Sequence, residues 1–462
     1  MLIERFFTPE LAQVAYAVGD ADAGEVAIID PRRDVDVYVD WARRLRLRIV
    51  AILETHVHAD FVSGATELAG VTGAPIYASR LGEQEFDHTP VDDGFTLDVG
   101  TVRLTAVLTP GHTPEHIAWR ADDTSAPDAQ PVLFSGDALF VGDVGRPDLL
   151  GSDRTDELVD RLYETVTNVF KQLPEEMVVY PGHTAGSSCG KKIGDDPQTT
   201  IGREKQMNYA FHQESRDAFA TAVMGGMPQP PAYYPVLKKV NKAGAEPWAE
   251  LSSMPKLPLN AVEDALASGT MVIDARPTEA FAEGHIPGTI FVGAGSSFST
   301  WMGWLAPYDR DLVLIVDSDA QAREAQTMLR RIGLDRIAGY HVGVDAWRES
   351  GRPLSTLDVI SAQALADERE RGAPATMVDV RGADEYEMGH IDGAQHHWLA
   401  RIARGDLPNL DPSEPVTLIC QSGYRSTVAA SLLEAQGFDR LRNIAGGMEA
   451  WEAARDVTSS VA

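Results

Sequence analysis

The sequence predicts an α/β protein of several domains, and three observations carry that prediction. Through residues 1–220, short β-branched apolar runs alternate with helical patterns and Gly/Asp turns. Around residues 225–258 proline density rises abruptly, which marks a boundary. Beyond it the chain repeats itself. At 462 residues it is far longer than one hydrophobic core supports, in keeping with this division.

In order, the apolar runs at 14–18, 26–29 and 49–53 read as buried strands, with one helical pattern at 35–45 between them. Further strands are expected at 74–78, 102–108, 117–120 and 132–135, then a helix from 155 to about 170. A last strand at 177–180 ends in Pro181, Gly182 and His183. These elements make up a domain over 1–225. Residues 226–257 are too rich in proline for a helix or central strand and read as a linker wrapped on a domain surface.

After the linker, Asp274, Arg276, Gly284, His285, Ile286 and Gly288 recur 105 positions later as Asp379, Arg381, Gly389, His390, Ile391 and Gly393. Leu314, Ile315, Ser318, Gly333, Asp335, Arg336, Gly343 and Trp347 recur 104 positions later as Leu418, Ile419, Ser422, Gly437, Asp439, Arg440, Gly447 and Trp451. The change of one is what a single-residue loop insertion or deletion produces. Two copies of one α/β unit are therefore expected, at 258–354 and 358–462.

A formal charge of −29 disfavours nucleic acid and anionic membrane surfaces as partners, since both would be repelled. The two cysteines, Cys189 and Cys420, are too few and too far apart for a disulfide framework, so a reducing compartment is expected. No secretory signal or long apolar run is present. A soluble cytoplasmic protein is expected.

At 55–60, THVHAD brings His56, His58 and Asp60 to the end of a strand, with Phe61 directly behind. His112 in LTPGHTPEH, Asp137 in LFSGDALF and His183 in VVYPGH follow, each preceded by Gly and each at a strand end. Strand-end loops along one sheet edge are where α/β proteins collect ligands, and imidazoles with carboxylates point to a metal.

This order of motifs resembles the metallo-β-lactamase superfamily over about residues 1–220. The resemblance implies an αββα sandwich with the metal at one edge. Dinuclear zinc hydrolases of that superfamily, such as glyoxalase II, have histidine where Phe61 stands, and phenylalanine offers no lone pair, so a full second site is not expected, with Asp60 and His183 left as contributors to a weak one. The persulfide dioxygenase branch instead implies one Fe(II) per chain held by His56, His112 and Asp137, a two-histidine, one-carboxylate set with open positions. There His58, Asp60 and His183 would orient ligands or solvent without holding the iron. The branch also implies that Cys189, in a Gly/Ser-rich loop, lies near the iron to carry sulfur; a small buried apolar cysteine is the other reading. Arg203 and Lys205 are candidates for binding the thiol's carboxylates or phosphates, or are plain surface charge.

In the second repeat, the apolar run 416–419 leads into Cys420 and then QSGYR at a helix start, where a helix dipole and Arg425 would stabilise a thiolate. With D-V-R at 379–381 and GHIDGA at 389–394, this repeat resembles the rhodanese sulfurtransferases. The resemblance implies a persulfide on Cys420 within a loop of Gln421, Ser422, Gly423 and Tyr424, and Arg425 binding thiosulfate or sulfite. In the first repeat Val316 stands where Cys420 would, and Gln321 replaces Arg425, so that copy is expected to be inactive. His285 and His390 are expected to be structural.

Together the parts resemble persulfide dioxygenase and sulfurtransferase fusions. The resemblance implies oxidation of a low-molecular-weight thiol persulfide by O2 to sulfite, coupled either to thiosulfate formation on Cys420 or, in reverse, to consumption of thiosulfate that makes persulfide for the iron site, with a role in sulfide detoxification and self-association into a homo-oligomer. A zinc-dependent thioester hydrolase and a non-enzymatic sulfur carrier stand as alternatives.

Overall fold

The computed structural model describes residues 1–126, 128–372 and 376–459, so the expected domain end at 462 lies outside them. Residues 1–251 form one compact unit, and most of the remainder forms a second.

The first unit packs two six-stranded sheets face to face. One runs Leu2–Thr8, Gln13–Asp20, Glu25–Ile29, Arg48–Leu53, Ile76–Ser79, Thr89–Val91 in spatial order, antiparallel at its first two pairings and parallel thereafter. The other runs Thr199–Thr200, Val178–Pro181, Val132–Gly136, Ile117–Asp123, Val102–Leu108, Thr96–Val99, with only the second of these pairings parallel. Alternate residues of the facing strands, such as Val14, Tyr16, Leu53, Leu104, Trp119 and Phe134, fill the space between the sheets. Helices Asp36–Leu45 and Ala65–Thr72 cover one outer face, and Ser152–Glu164 and Arg216–Met224 the other. The layers are the expected αββα.

The expected linker is partly wrong. Residues Tyr234–Ala243 form a helix with Pro235 in its first turn, where a missing N–H costs no hydrogen bond. It belongs to the first unit and buries Tyr234, Leu237 and Asn241. The Asn241 amide donates to the carbonyls of His58 and Phe61 at 2.8 and 2.7 Å and accepts from the Ser63 N–H at 2.8 Å.

The second unit holds two parallel sheets. Their orders are Ile290–Phe291, Met271–Asp274, Leu312–Val316, Ile337–Val342 and Asp358–Ile360, Leu441–Ile444, Val416–Ile419, Thr376–Asp379, Gln395–His396. The repeated motifs form one clamp twice. Arg276 forks onto Asp274 and donates to the Gly284 carbonyl, and Arg381 does the same to Asp379 and Gly389. His285 stacks on Phe281 and His390 on Tyr386, each at 3.7 Å. The buried Asp-Arg pairs tie a strand end to the following loop, a structural reason for the motif to recur in both repeats. Among the described residues no helix is long and apolar enough to cross a membrane.

Asn241→Ala is expected to destabilise the first unit by about 1–3 kcal/mol, because it strips partners from two buried carbonyls and one N–H of the metal loop. Denaturant titration checks this; an unchanged midpoint would mean that the helix merely rests against the loop.

Candidate metal centre and sulfur-transfer site

Four strands deliver the centre: His56 follows Arg48–Leu53, His112 follows Val102–Leu108, Asp137 follows Val132–Gly136, and His183 follows Val178–Pro181. The glycines before Asp137 and His183 are required. Gly136 has φ of 50°, and a Cβ there would meet His116 Nε2 and Thr55 Oγ1 at 2.7 Å; a Cβ at Gly182 would meet Asp137 Oδ1 at 2.7 Å.

His56, His112 and Asp137 converge, with one ligand atom from each within 4.8 Å of the others. The His56 and His112 Nε2 atoms lie 3.9 and 3.6 Å from Asp137 Oδ2. All three atoms are buried and none has a hydrogen-bond partner. Their other heteroatoms are all engaged. His56 Nδ1–H donates to Thr55 Oγ1 at 2.9 Å, and that hydroxyl donates to Asp30 at 2.7 Å. His112 Nδ1–H donates to the Arg146 carbonyl at 2.9 Å. These bonds fix both tautomers so that the Nε2 lone pairs face Asp137 Oδ2.

Asp137 Oδ1 accepts from His183 Nδ1 at 2.8 Å, and His183 Nε2 donates to Asp60 at 2.7 Å, so His183 is an imidazolium between two carboxylates. Burial alone would depress its pKa, but the two carboxylates hold it well above the ordinary histidine value. Burial likewise would raise Asp137, yet the His183 charge and hydrogen bond bring it below the ordinary carboxylate range. Burial pushes His56 and His112 down, leaving them neutral. Leaving three buried donors unpaired costs about 1–3 kcal/mol each. A cation among them removes that cost, and the donor set fits a transition metal.

His58 turns away from this set. Its Nε2 lies 3.3 Å from Asp30 and 3.9 Å from Glu54, and its ring packs on Phe61 at 4.3 Å. Burial would lower its pKa, but Asp30 and Glu54 raise it to about 9. Phe61 is fully buried and supplies no ligand. Asp60, His183 and Cys189 bring their ligand atoms within 4.8 Å of one another on the neighbouring flank. The Cys189 sulfur lies 4.0 Å from Tyr234 Oη, and burial with the charges of Asp60 and Asp137 pushes its thiol pKa well up. Such a thiol stays protonated, contrary to what a nucleophile needs.

Arg203, read as either a contact for the thiol's anionic groups or plain surface charge, pairs with Asp196 at 2.6 Å on the surface. Lys205 donates to the Leu173 carbonyl. Sequence reasoning also missed Asp30, Thr55 and His116. His116 accepts the Asp137 backbone N–H at 3.0 Å, and its Nδ1–H donates to Thr109 at 2.8 Å; burial lowers its pKa to about 3. The PEH tripeptide was visible, but nothing in its spacing set it apart from a loop histidine.

In the second unit, Cys420 is buried at the end of Val416–Ile419 and precedes helix Tyr424–Glu434. Its sulfur accepts the Gly423 N–H at 3.1 Å and lies 3.3 Å from Ser426 Oγ, an arrangement that favours a thiolate or persulfide sulfur. Gln421 accepts from Arg381 at 3.4 Å, Ser422 is exposed, and Tyr424 Oη donates to the Gly293 carbonyl of the first repeat at 2.9 Å. Arg425 is not free for an anion: it forks onto Glu385 with both bonds at 2.6 Å. The first repeat has no thiol to offer. Val316 is buried, Gln321 accepts the Asp317 N–H at 2.7 Å, and Asp319 pairs with Lys256 at 3.0 Å. That repeat braces the cysteine-bearing one instead: the Phe291 N–H donates to Ser431 at 2.9 Å, and His285 Nε2 meets Glu434 at 2.8 Å.

Thr55→Val removes the acceptor for His56 Nδ1–H and the link to Asp30, so metal affinity is expected to fall by about 10–100-fold. Competition with a fluorescent chelator measures it; unchanged affinity would mean that the relay does not orient His56. Glu385→Gln is expected to lower the KM for thiosulfate in a cyanide assay about fivefold, the equivalent of about 1 kcal/mol for a partly exposed charge pair. An unchanged KM would show that Glu385 does not compete with the anion.

The model of the metallo-beta-lactamase superfamily matches residues 8–183, and that of the rhodanese-like domain matches 259–350 and 361–454. The chain is 30% identical over 190 residues to the mitochondrial persulfide dioxygenase ETHE1 of Homo sapiens, covering 40% of this chain and 68% of that protein. It is 33% identical over 187 residues to a hydroxyacylglutathione hydrolase of a Polaromonas species, covering 40% and 66%. A solved metallo-beta-lactamase structure from Staphylococcus aureus superposes with a TM-score of 0.66 at 34% identity, covering 74% of this chain and 99% of that one. The chain is thus an enzyme of the metallo-beta-lactamase superfamily, related to the persulfide dioxygenases and carrying two rhodanese-like domains later in its sequence.

Proposed function

We propose that the first unit oxidises a low-molecular-weight thiol persulfide to sulfite with O2, and that Cys420 joins sulfane sulfur to sulfite as thiosulfate, in the service of cytoplasmic sulfide detoxification. The observation that carries this reading is the trio of buried, unpartnered donors on His56, His112 and Asp137, with Phe61 beside His58.

A single ferrous ion held by these donors would supply open coordination positions and redox chemistry toward dioxygen and sulfur. The chain's own residues set the rest. Thr55 and the Arg146 carbonyl hold the imidazoles, and His183 keeps Asp137 ionised with only Oδ2 available. At the second site the Cys420 thiolate attacks the terminal sulfur of a persulfide, the S–S bond breaks, and the carrier thiol leaves. A sulfite lone pair then attacks the terminal sulfur of the Cys420 persulfide, forming thiosulfate and regenerating the thiolate. The Gly423 N–H and Ser426 hydroxyl would steady the sulfur in both steps.

The hydroxyacylglutathione hydrolase relationship supports a second reading, hydrolysis of a thioester by a metal-bound hydroxide. Phe61 and the engagement of His58 with Asp30 weigh against it.

Iron-loaded protein given persulfide is expected to consume O2 and form sulfite, and with excess persulfide to form thiosulfate. Cys420→Ser should keep O2 uptake and sulfite while losing thiosulfate. Thioesterase activity of zinc protein with no O2 uptake from any persulfide would overturn the reading.

A further inference from the structure

We infer that Glu115 and His116 are positioning residues that set the distance between the two halves of the metal centre, which stand on different sheets. The inference rests on the reading of His56, His112 and Asp137 as that centre.

The three donors do not share a sheet. His56 follows Arg48–Leu53 in one, while His112 and Asp137 follow Val102–Leu108 and Val132–Gly136 in the other. Hydrogen bonds fix strands within a sheet, whereas the gap between two packed sheets is set by the side chains that fill it. A metal needs its donor distances right to within about 0.2 Å. The two sheets therefore need a lock at this edge.

The segment between His112 and strand Ile117–Asp123 supplies it. Glu115 Oε1 accepts the N–H of Val57, the residue after His56, at 3.0 Å. His116 Nε2 accepts the N–H of Asp137 at 3.0 Å, and its ring stacks on that of His56 with centroids 5.0 Å apart and planes 25° apart. Nε2 can accept only as a bare nitrogen, and the bond from Nδ1–H to Thr109 at 2.8 Å fixes that tautomer. The strand that follows adds two more bonds across the gap. The Ile117 N–H donates to the Thr55 carbonyl at 2.8 Å, and Trp119 Nε1 to the Glu54 carbonyl at 3.3 Å. Residues 54–57 of one sheet are thus held along their length by one segment of the other.

Both side chains are buried, Glu115 4% exposed and His116 0%, and neither is among the donors that converge. Burying a carboxylate and an imidazole is unfavourable unless each is bonded, and here each bond goes to the main chain of a loop that carries a donor. The loop that provides His112 carries both props three and four residues further on, so one short segment fixes its own donor against His56 and Asp137 together.

The test uses full-length variants. Glu115→Leu and His116→Phe remove the acceptors while filling similar space, and Glu115→Gln and His116→Gln keep an acceptor oxygen. Cobalt(II) affinity is measured against a chromophoric chelator, with the visible absorption of the cobalt protein and the denaturation midpoint of the metal-free protein. Glu115→Leu and His116→Phe are each expected to weaken cobalt about tenfold or more and to shift its absorption bands, and each Gln variant to recover most of both. Affinity and bands unchanged in Glu115→Leu and His116→Phe, with only the metal-free midpoint lowered, would show a purely structural role and overturn the inference while leaving the metal centre standing. Gln variants no better than these two would overturn it as well. Wild-type protein that takes up no cobalt would remove the centre and the inference with it.

Discussion

The division of labour between the two oxygens of Asp137 governs the first unit. Oδ1 is taken by His183, which is itself taken by Asp60, while Oδ2 is left facing two bare imidazole nitrogens in a buried space. Unpaired donors of this kind are costly, and a fold that spends four strand ends, two obligatory glycines and an imidazolium bridge on preserving them is built around a cation. Loss of any partner that fixes a tautomer would let an imidazole turn its lone pair elsewhere.

The same packing bears on how many metals the proposed centre would take. Where a second metal would need another imidazole, Phe61 lies buried against His58, and His58 is drawn to Asp30 and Glu54. Asp60 spends one oxygen on His183, and the ligand atoms of Asp60, His183 and Cys189 lie within 4.8 Å of one another beside the first set. In the second unit the logic is division by duplication. Both repeats keep the Asp-Arg clamp that ties a strand to its loop, but only one keeps the cysteine, and the other braces the helix behind it through Phe291 and His285.

Much of this was legible in the sequence, for physical reasons. His56, His112 and Asp137 stood at strand ends that apolar periodicity located, and Cys420 stood between a buried strand and a helix start. Asp30 and Thr55 were not legible as a relay, because their contact depends on two parallel strands pairing, which local pattern does not encode. The helix Tyr234–Ala243 was hidden by neighbouring prolines, although Pro235 lies in the one turn that tolerates it. The sequence left Arg203 open between an anion contact and surface charge, and its pairing with Asp196 shows only in the tertiary structure.

The most direct test of the central claim is metal analysis with Mössbauer spectroscopy of protein loaded anaerobically with iron. The account predicts one iron per chain with a single high-spin ferrous signal, lost in His112→Ala. Two metals per chain, or a spectrum showing a coupled pair, would contradict it.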